Sequence, residues 1–284
     1  MWFAFLEVRR WQVSTDEWVP PGVDPSVPSV ARMYDYYLGG KDNFPSDREA
    51  AEKVIAISKQ VGNDVREAAR ANRRFLGRAL ELLTDLGLRQ FLDIGTGLPT
   101  QENVHQVVLR RAPESQVVYV DNDPIVLVHA RALLADNPQT LVLEGDLRDP
   151  DGLLANPLLR ARIDFDQPVA LILCAIVQFI ADDGEAQRIV GRLLQGLPSG
   201  SHVVISHVFP GEGHDEELAE VDGVYSRTAA GNFTLRTRAQ INALLAGAEL
   251  LPPGLAPVED WRPDSTESFD FTRPTYLGAV ARVP

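Results

Sequence analysis

The run Phe91-Leu92-Asp93-Ile94-Gly95-Thr96-Gly97-Leu98-Pro99-Thr100 is the part of the chain best suited to chemistry. An apolar strand pattern carries a carboxylate into a Gly-x-Gly turn. Glycine lets the backbone approach a ligand and take torsions closed to other residues. A helix beginning at about Thr100 would turn its amide dipoles toward an anionic group. Alone, Gly-x-Gly reads equally as a tight strand-to-helix turn. Two later acids extend the pattern. Asp121, followed by Asn122, closes a second apolar run, where a carboxylate can accept hydrogen bonds from both hydroxyls of a ribose. Asp146 and Leu147 follow a third, where an acid can receive an adenine amine and the next backbone N–H can serve the ring. Each acid also has a plain structural reading as a helix cap or turn residue.

Turn, ribose acid and adenine acid in this order describe a nucleoside ligand at the carboxyl edge of a parallel sheet. A dinucleotide is the rival. Its fingerprint needs a third glycine where this chain has Thr100, next to the stiffening Pro99. It also has no use for an acid after the third strand. Asp93 suits the amino-acid end of a sulfonium methyl donor. The expected cofactor set is Asp93, Gly95, Thr96, Gly97, Asp121, Asn122, Asp146, Leu147 and Ala175.

The elements that must position these residues alternate between strand and helix. Strand patterns cover 90–94, 117–120, 140–143, 169–174 and 202–208. Helical patterns begin near Thr100, at Pro124 behind the cap Asp123, and over 185–194. This order predicts a doubly wound α/β sheet with helices on both faces. Upstream, Ser46-Asp47-Arg48-Glu49 has the form of a capping box, and a longer helix is expected over 64–86. Downstream, a polar helical stretch follows His214 and a helix is expected over 238–245. Strand candidates at 256–261 and 276–281 could pair as an antiparallel hairpin at a sheet edge. The expected partition is a loosely ordered tail over 1–28, a helical cap or lid over 29–88, and a cofactor-binding domain over 89–284.

The chain of 284 residues is 45% hydrophobic and carries a net charge of −13. That charge repels a phosphate backbone, so double-stranded nucleic acid is not an expected partner. No apolar run reaches membrane-spanning length, and the opening residues lack the features of a secretion signal, so a cytoplasmic location is expected. One cysteine, Cys174, excludes an intrachain disulfide, and the histidines show no metal-ligand spacing, so no metal is expected.

Gly39-Gly40-Lys41-Asp42-Asn43-Phe44-Pro45, Ala71-Asn72-Arg73 and the 90–100 run together resemble one particular group. So do Tyr119-Val120-Asp121-Asn122-Asp123-Pro124, Asp146-Leu147-Arg148-Asp149-Pro150 and Trp261-Arg262-Pro263-Asp264. The group is a bacterial family of S-adenosylmethionine-dependent methyltransferases formerly catalogued as a domain of unknown function. The resemblance runs from about Ser29 to the C-terminus. It implies the class I Rossmann-like fold, with seven mostly parallel strands and an antiparallel C-terminal strand, and S-adenosyl-L-methionine as cofactor. It implies no substrate; a small-molecule acceptor is expected. It leads one to expect a segment like Leu-His-Phe after strand four, where this chain has Val177-Gln178-Phe179. Gln178 can orient an acceptor but cannot act as a base.

Methyl transfer from a sulfonium depends mostly on positioning. A base is needed only when the acceptor still carries a proton as it attacks. Candidates near the acceptor are His207, Gln178, Tyr34 and Tyr37, and Arg70 or Arg73 could bind the donor carboxylate. His207 reads equally as a hydrogen-bonded structural residue. The aromatic segment 32–44 reads either as a mobile lid hinged at Gly39-Gly40 or as a surface docked on the core. Two other functions stay open on the residues alone: an NAD(P)-dependent oxidoreductase and a catalytically inactive nucleoside-binding module.

Overall fold

The computed structural model describes residues 19, 23–60, 62–99, 102–134, 137–209, 215–263 and 276–284, with side chains at all of these except 215–219. Three helices come first: α1 (Val30–Tyr37), α2 (Pro45–Gln60) and α3 (Val65–Asp85). Then β1 (Gln90–Ile94), α4 (Val104–Arg111), β2 (Gln116–Asp121), α5 (Pro124–Leu134) and β3 (Thr140–Glu144) alternate. Two short helices, α6 (Pro150–Ala155) and α7 (Pro157–Arg162), lead to β4 (Ala170–Cys174). A single 3-10 turn over Val177–Phe179 precedes α8 (Asp183–Gln195) and β5 (His202–Val208). The chain continues through α9 (Asp215–Tyr225), α10 (Arg238–Ala243), β6 (Glu249–Leu250), β7 (Ala256–Pro257) and β8 (Tyr276–Arg282).

The strands run in the order β3-β2-β1-β4-β5-β8-β6, with β7 also paired to β8. β1 to β5 are parallel and β8 enters antiparallel beside β5. β6 and β7 both lie antiparallel to β8. They act as one edge strand broken at Pro252-Pro253-Gly254, because proline cannot donate to a ladder. The sheet therefore has the seven expected positions, and the crossover between β1 and β4 opens a crevice at its carboxyl edge.

Side chains alternate across the sheet with period two. Leu92, Ile94, Val118, Leu171 and Val203 pack under α6, α7 and α8. Phe91, Val117, Ala170, Ile172 and Val204 pack under α3 and α4. Phe75 of α3 meets Trp261 edge-on at 5.2 Å, and a Cβ on Gly278 of β8 would lie 2.7 Å from the Phe75 ring. α3 is thus fixed to the sheet. α1, α2 and α9 form a separate cluster around Met33, Tyr37, Ala51 and Tyr225.

Several local expectations change. α2 begins at Pro45, with proline in the first turn where its missing N–H costs nothing. Ser46 does not cap it; its hydroxyl donates to the Pro25 carbonyl. Asp47 is buried and accepts from Phe44 N, Ser29 N and Arg32 Nε at 2.7–2.8 Å. Helix α4 starts at Val104 rather than near Thr100, because Asn103 and Gln106 form a capping box there. Thr100 itself lies outside the described residues, as do His214, Asp264 and most of the expected tail. The expected strand at 256–261 is only two residues long. No described helix is long and apolar enough to cross a membrane.

Candidate active site

A cavity of about 480 Å³ opens at the carboxyl ends of β1, β2, β3 and β4, beneath α1. All nine expected cofactor residues line it. The Gly-x-Gly turn takes left-handed torsions, φ +73° at Gly95 and +67° at Gly97. A Cβ on Gly97 would meet nothing within 4 Å, so its face is an open cradle beside the cavity. A Cβ on Gly95 would strike Ile176 at 2.4 Å, so this glycine is required by packing as well as torsion. Ala175, just past β4, takes φ +56°, a conformation that costs a non-glycine residue energy and tends to persist at functional sites.

Asp121 ends β2 and is buried. Its two oxygens accept from Gly97 N and Asp123 N, each at 2.9 Å. The expected cap Asp123 is present, accepting from Ile125 N at 2.9 Å, but it does not leave Asp121 free of the backbone. Asp93 stands one residue before the end of β1 and accepts from the Thr96 hydroxyl at 2.7 Å. Burial pushes Asp93 up to about 6, against the Thr96 hydroxyl and the nearby Arg73 guanidinium. Burial likewise pushes Asp121 up to about 6, against its backbone donors. Asp146 differs. Arg148 Nη2 donates to it at 2.6 Å and Asn122 Nδ2 at 3.3 Å. The Arg148 hydrogen bonds hold its carboxyl below the ordinary value.

Arg73 and Asn72 of α3 line the cavity beside these acids. The Arg73 guanidinium lies 5.7 Å from the centre of the Tyr34 ring. Arg73 Nε and Asn72 Oδ1 are buried with no hydrogen-bond partner among the described residues. A donor and an acceptor left unsatisfied at a cavity wall are groups for a ligand to meet. Arg70, one turn earlier, is exposed and paired with Glu67. The two unpartnered atoms, the open face of Gly97 and the buried acids together fit a molecule with a nucleoside and an amino-acid end.

Tyr34, Tyr37 and Gln178 also line the cavity, and His207 does not. Tyr37 OH and Tyr225 OH lie 3.1 Å apart, and Asn72 Nδ2 donates to Tyr34 OH at 3.1 Å. Gln178 Oε1 accepts from Val208 N at 3.4 Å. His207 is buried at the end of β5. Its Nδ1 faces the Val208 carbonyl at 2.8 Å and its Nε2 faces Arg236 Nη1 at 3.1 Å. Burial first, with the Arg236 charge, brings His207 down to about 4. It therefore stays neutral and accepts from Arg236. Cys174 lines the cavity, and burial pushes its thiol up to about 12.

The sequence reading missed Asn72 as a cavity residue, together with Tyr225 and Tyr276. Nothing local marks the two tyrosines, since β8 and α9 bring them in from the end of the chain. It also treated residues 23–28 as tail, yet Val23, Asp24 and Val27 line the cavity. Among the described residues no cluster of His, Cys, Asp or Glu could hold a metal ion.

The sheet order with its reversed last strand, and a crevice at the β1/β4 crossover, define the class I Rossmann-like methyltransferase fold. The family described as S-adenosyl methyltransferase matches residues 16–284. The chain belongs to that family, and S-adenosyl-L-methionine is its methyl donor. A DUF574 family protein from Streptomyces avermitilis MA-4680 is similar at 41% identity, with 92% of this chain and 99% of that one covered and a TM-score of 0.83. A protein of Thermobifida fusca YX, provisionally described as a methyltransferase, is similar at 35% identity over 94% of this chain and 98% of that one, with a TM-score of 0.85. No curated protein matches in sequence.

Proposed function

We propose that the chain holds S-adenosylmethionine along the β1–β3 side of the cavity and methylates a small-molecule acceptor on the β4–β8 side. Asp93 and Arg73 face the amino-acid end, Gly95 and Gly97 floor the middle, Asp121 takes the ribose hydroxyls, and Asp146 with Leu147 takes the adenine. The observation that carries this reading is the gathering of all nine expected residues around one cavity. The donor supplies a methyl group already activated on sulfur. The protein's part is to align it and exclude water. Asp121 can serve a ribose once one of its backbone amides shares its oxygen. Arg148, more than half exposed, can leave Asp146 for solvent.

A small acceptor is supported by the cavity's size, which lies in the range of small-ligand sites, and by α1, which roofs it. The charge of −13 argues against a polyanionic acceptor. The cap is read as α1 and α2, docked on the core through Tyr37 and the 38–44 loop. There the Gly40 backbone is packed onto the Asp35 carboxylate, and Asn43 Nδ2 donates to it at 2.8 Å. Phe44 packs with Leu98, Ile125 and Val126, and the Ser29 hydroxyl donates to Asp123; that anchoring to the core supports a fixed roof over a hinged lid. Calorimetric titration with S-adenosylhomocysteine and NADH tests the reading. S-adenosylhomocysteine is expected to bind and NADH not to; the reverse would refute it.

A further inference from the structure

The chain leaves β4 through Ala175, at φ +56°. The 3-10 turn that follows brings Gln178 and Phe179 to the cavity wall. One short segment, 234–236, enters just ahead of α10 and meets the carbonyls of this turn and its exit. Thr234 N donates to the Gln178 carbonyl at 2.7 Å, and the Thr234 hydroxyl donates to that of Ala181 at 3.4 Å. Arg236 Nη1 donates to the Val177 carbonyl at 3.2 Å and Nη2 to that of Ile180 at 2.7 Å. Arg236 is buried, so its charge must be met inside the fold. Its Nε donates to Asp183 at 2.9 Å, and Gln240 Nε2 donates to the other oxygen of that carboxylate at 2.6 Å.

Arg236 Nη1 also reaches His207 Nε2 at 3.1 Å. A guanidinium only donates, so this ring nitrogen accepts, and Nδ1–H donates to the Val208 carbonyl. Val208 N in turn donates to Gln178 Oε1 at 3.4 Å. The main chain around Gln178 is thus held by Thr234 and Arg236, its side chain is held by β5, and His207 joins the two supports. We infer that Arg236 is a positioning residue for methyl transfer: seated on His207, it fixes the 177–180 turn and so aims Gln178 at the point where the methyl group crosses to the acceptor. This rests on the cofactor and acceptor placement proposed above. His207 acts through Arg236 and not on the substrate. Lysine cannot stand in, because one ammonium does not reproduce the fork of a guanidinium. Misplacing an aligned group by about 1 Å can cost on the order of 100-fold in rate.

The test compares S-adenosylhomocysteine with sinefungin, an analogue in which a carbon bearing an amine replaces the sulfur. The protonated amine stands where the transferred methyl group would lie, and Gln178 Oε1 can accept from it. In calorimetric titrations Gln178→Leu should cut the preference for sinefungin over S-adenosylhomocysteine about tenfold, the low end for a hydrogen bond to a charged group. Arg236→Lys should cut the preference by a similar factor with S-adenosylhomocysteine affinity unmoved, and the double variant should lose no more, since both changes act through one side chain. His207→Leu should follow Arg236→Lys, and His207→Gln, which returns an acceptor, should restore the preference. The His207 pair decides the matter if Arg236→Lys does not fold. An unchanged preference in Gln178→Leu, Arg236→Lys or His207→Leu would overturn the inference. So would equal losses for the two ligands, which would mark Arg236 as part of the scaffold only. Failure of S-adenosylhomocysteine to bind the wild-type protein would remove the cofactor placement itself, and the inference would fall with it.

Discussion

On the β1–β3 side of the cavity, the carboxylates are held by groups of the turns that follow those strands; on the β4–β8 side, Tyr37 and Gln178 meet groups brought in from other elements of the chain. Asp121 is fixed by the amides of Gly97 and Asp123, and Asp93 by Thr96, three residues away. Tyr37 instead meets Tyr225, 188 residues on, and Gln178 is placed by β5. Backbone amides survive almost any substitution, so the carboxylate of Asp121 is held in place for an invariant donor. The second side changes with single side chains, which suits the part of an enzyme that selects its acceptor.

The sharpest way to break this comparison is Gly95→Val. A branched residue at φ +73° whose Cβ lies 2.4 Å from Ile176 must move the turn. The strain alone is at least about 1–2 kcal/mol, and S-adenosylhomocysteine binding should fall below detection in calorimetry. Retained binding would show that the turn is not the cofactor floor.

Asp121→Ala should follow, weakening S-adenosylhomocysteine by about 1.5–3 kcal/mol, the range for hydrogen bonds to a charged group. Asp146→Ala should lose less, since adenine must already displace Arg148. Equal losses from Tyr276→Phe in the same titration would erase the distinction between the two sides.

Acid titration sharpens the comparison further. Burial raises both Asp93 and Asp121 to about 6 in the folded protein, above the ordinary carboxylate value. The stability they contribute is fully present below about 4 and is lost as pH rises through about 6. Each pH unit of that window is worth roughly 1.4 kcal/mol per group at most. Thermal melts of Asp121→Asn should therefore gain on wild type between pH 4 and 7. A constant gap across that range would mean that Asp121 is not raised by burial.

The smallest effect belongs to Tyr37→Phe. It leaves the buried Tyr225 hydroxyl without a partner and should cost about 1 kcal/mol of stability in urea unfolding. S-adenosylhomocysteine affinity should not change. A large affinity loss would place the amino-acid end of the donor against the tyrosines.

The same contrast explains what could be read from the residues alone. The strands and α3 were legible because apolar periodicity and caps such as Asp64 act locally; Asp64 accepts from Arg66 N as an N-cap should. The cofactor side was legible because a turn, a strand end and an acid are contiguous in sequence. Helix α1 falls in the expected helical cap, but its bounds were not legible because it has eight residues and Ser29, its cap position, makes no side-chain cap bond. Tyr225 and Tyr276 carry no pattern of their own. They reach the cavity only through the antiparallel insertion of β8 and the packing of α9 on α2, which are tertiary events. Ser46 misled because a capping box is a local signal, and Asp47 was drawn instead to Ser29 and Arg32.

A crystal structure with S-adenosylhomocysteine tests the division of the cavity most directly. The ribose is predicted on Asp121, the adenine on Asp146 in place of Arg148, and the carboxylate at Arg73, with the space beside Tyr37, Gln178 and Tyr276 left open. Density for the ligand across the tyrosines, with Asp121 still bound only by Gly97 and Asp123, would contradict the account.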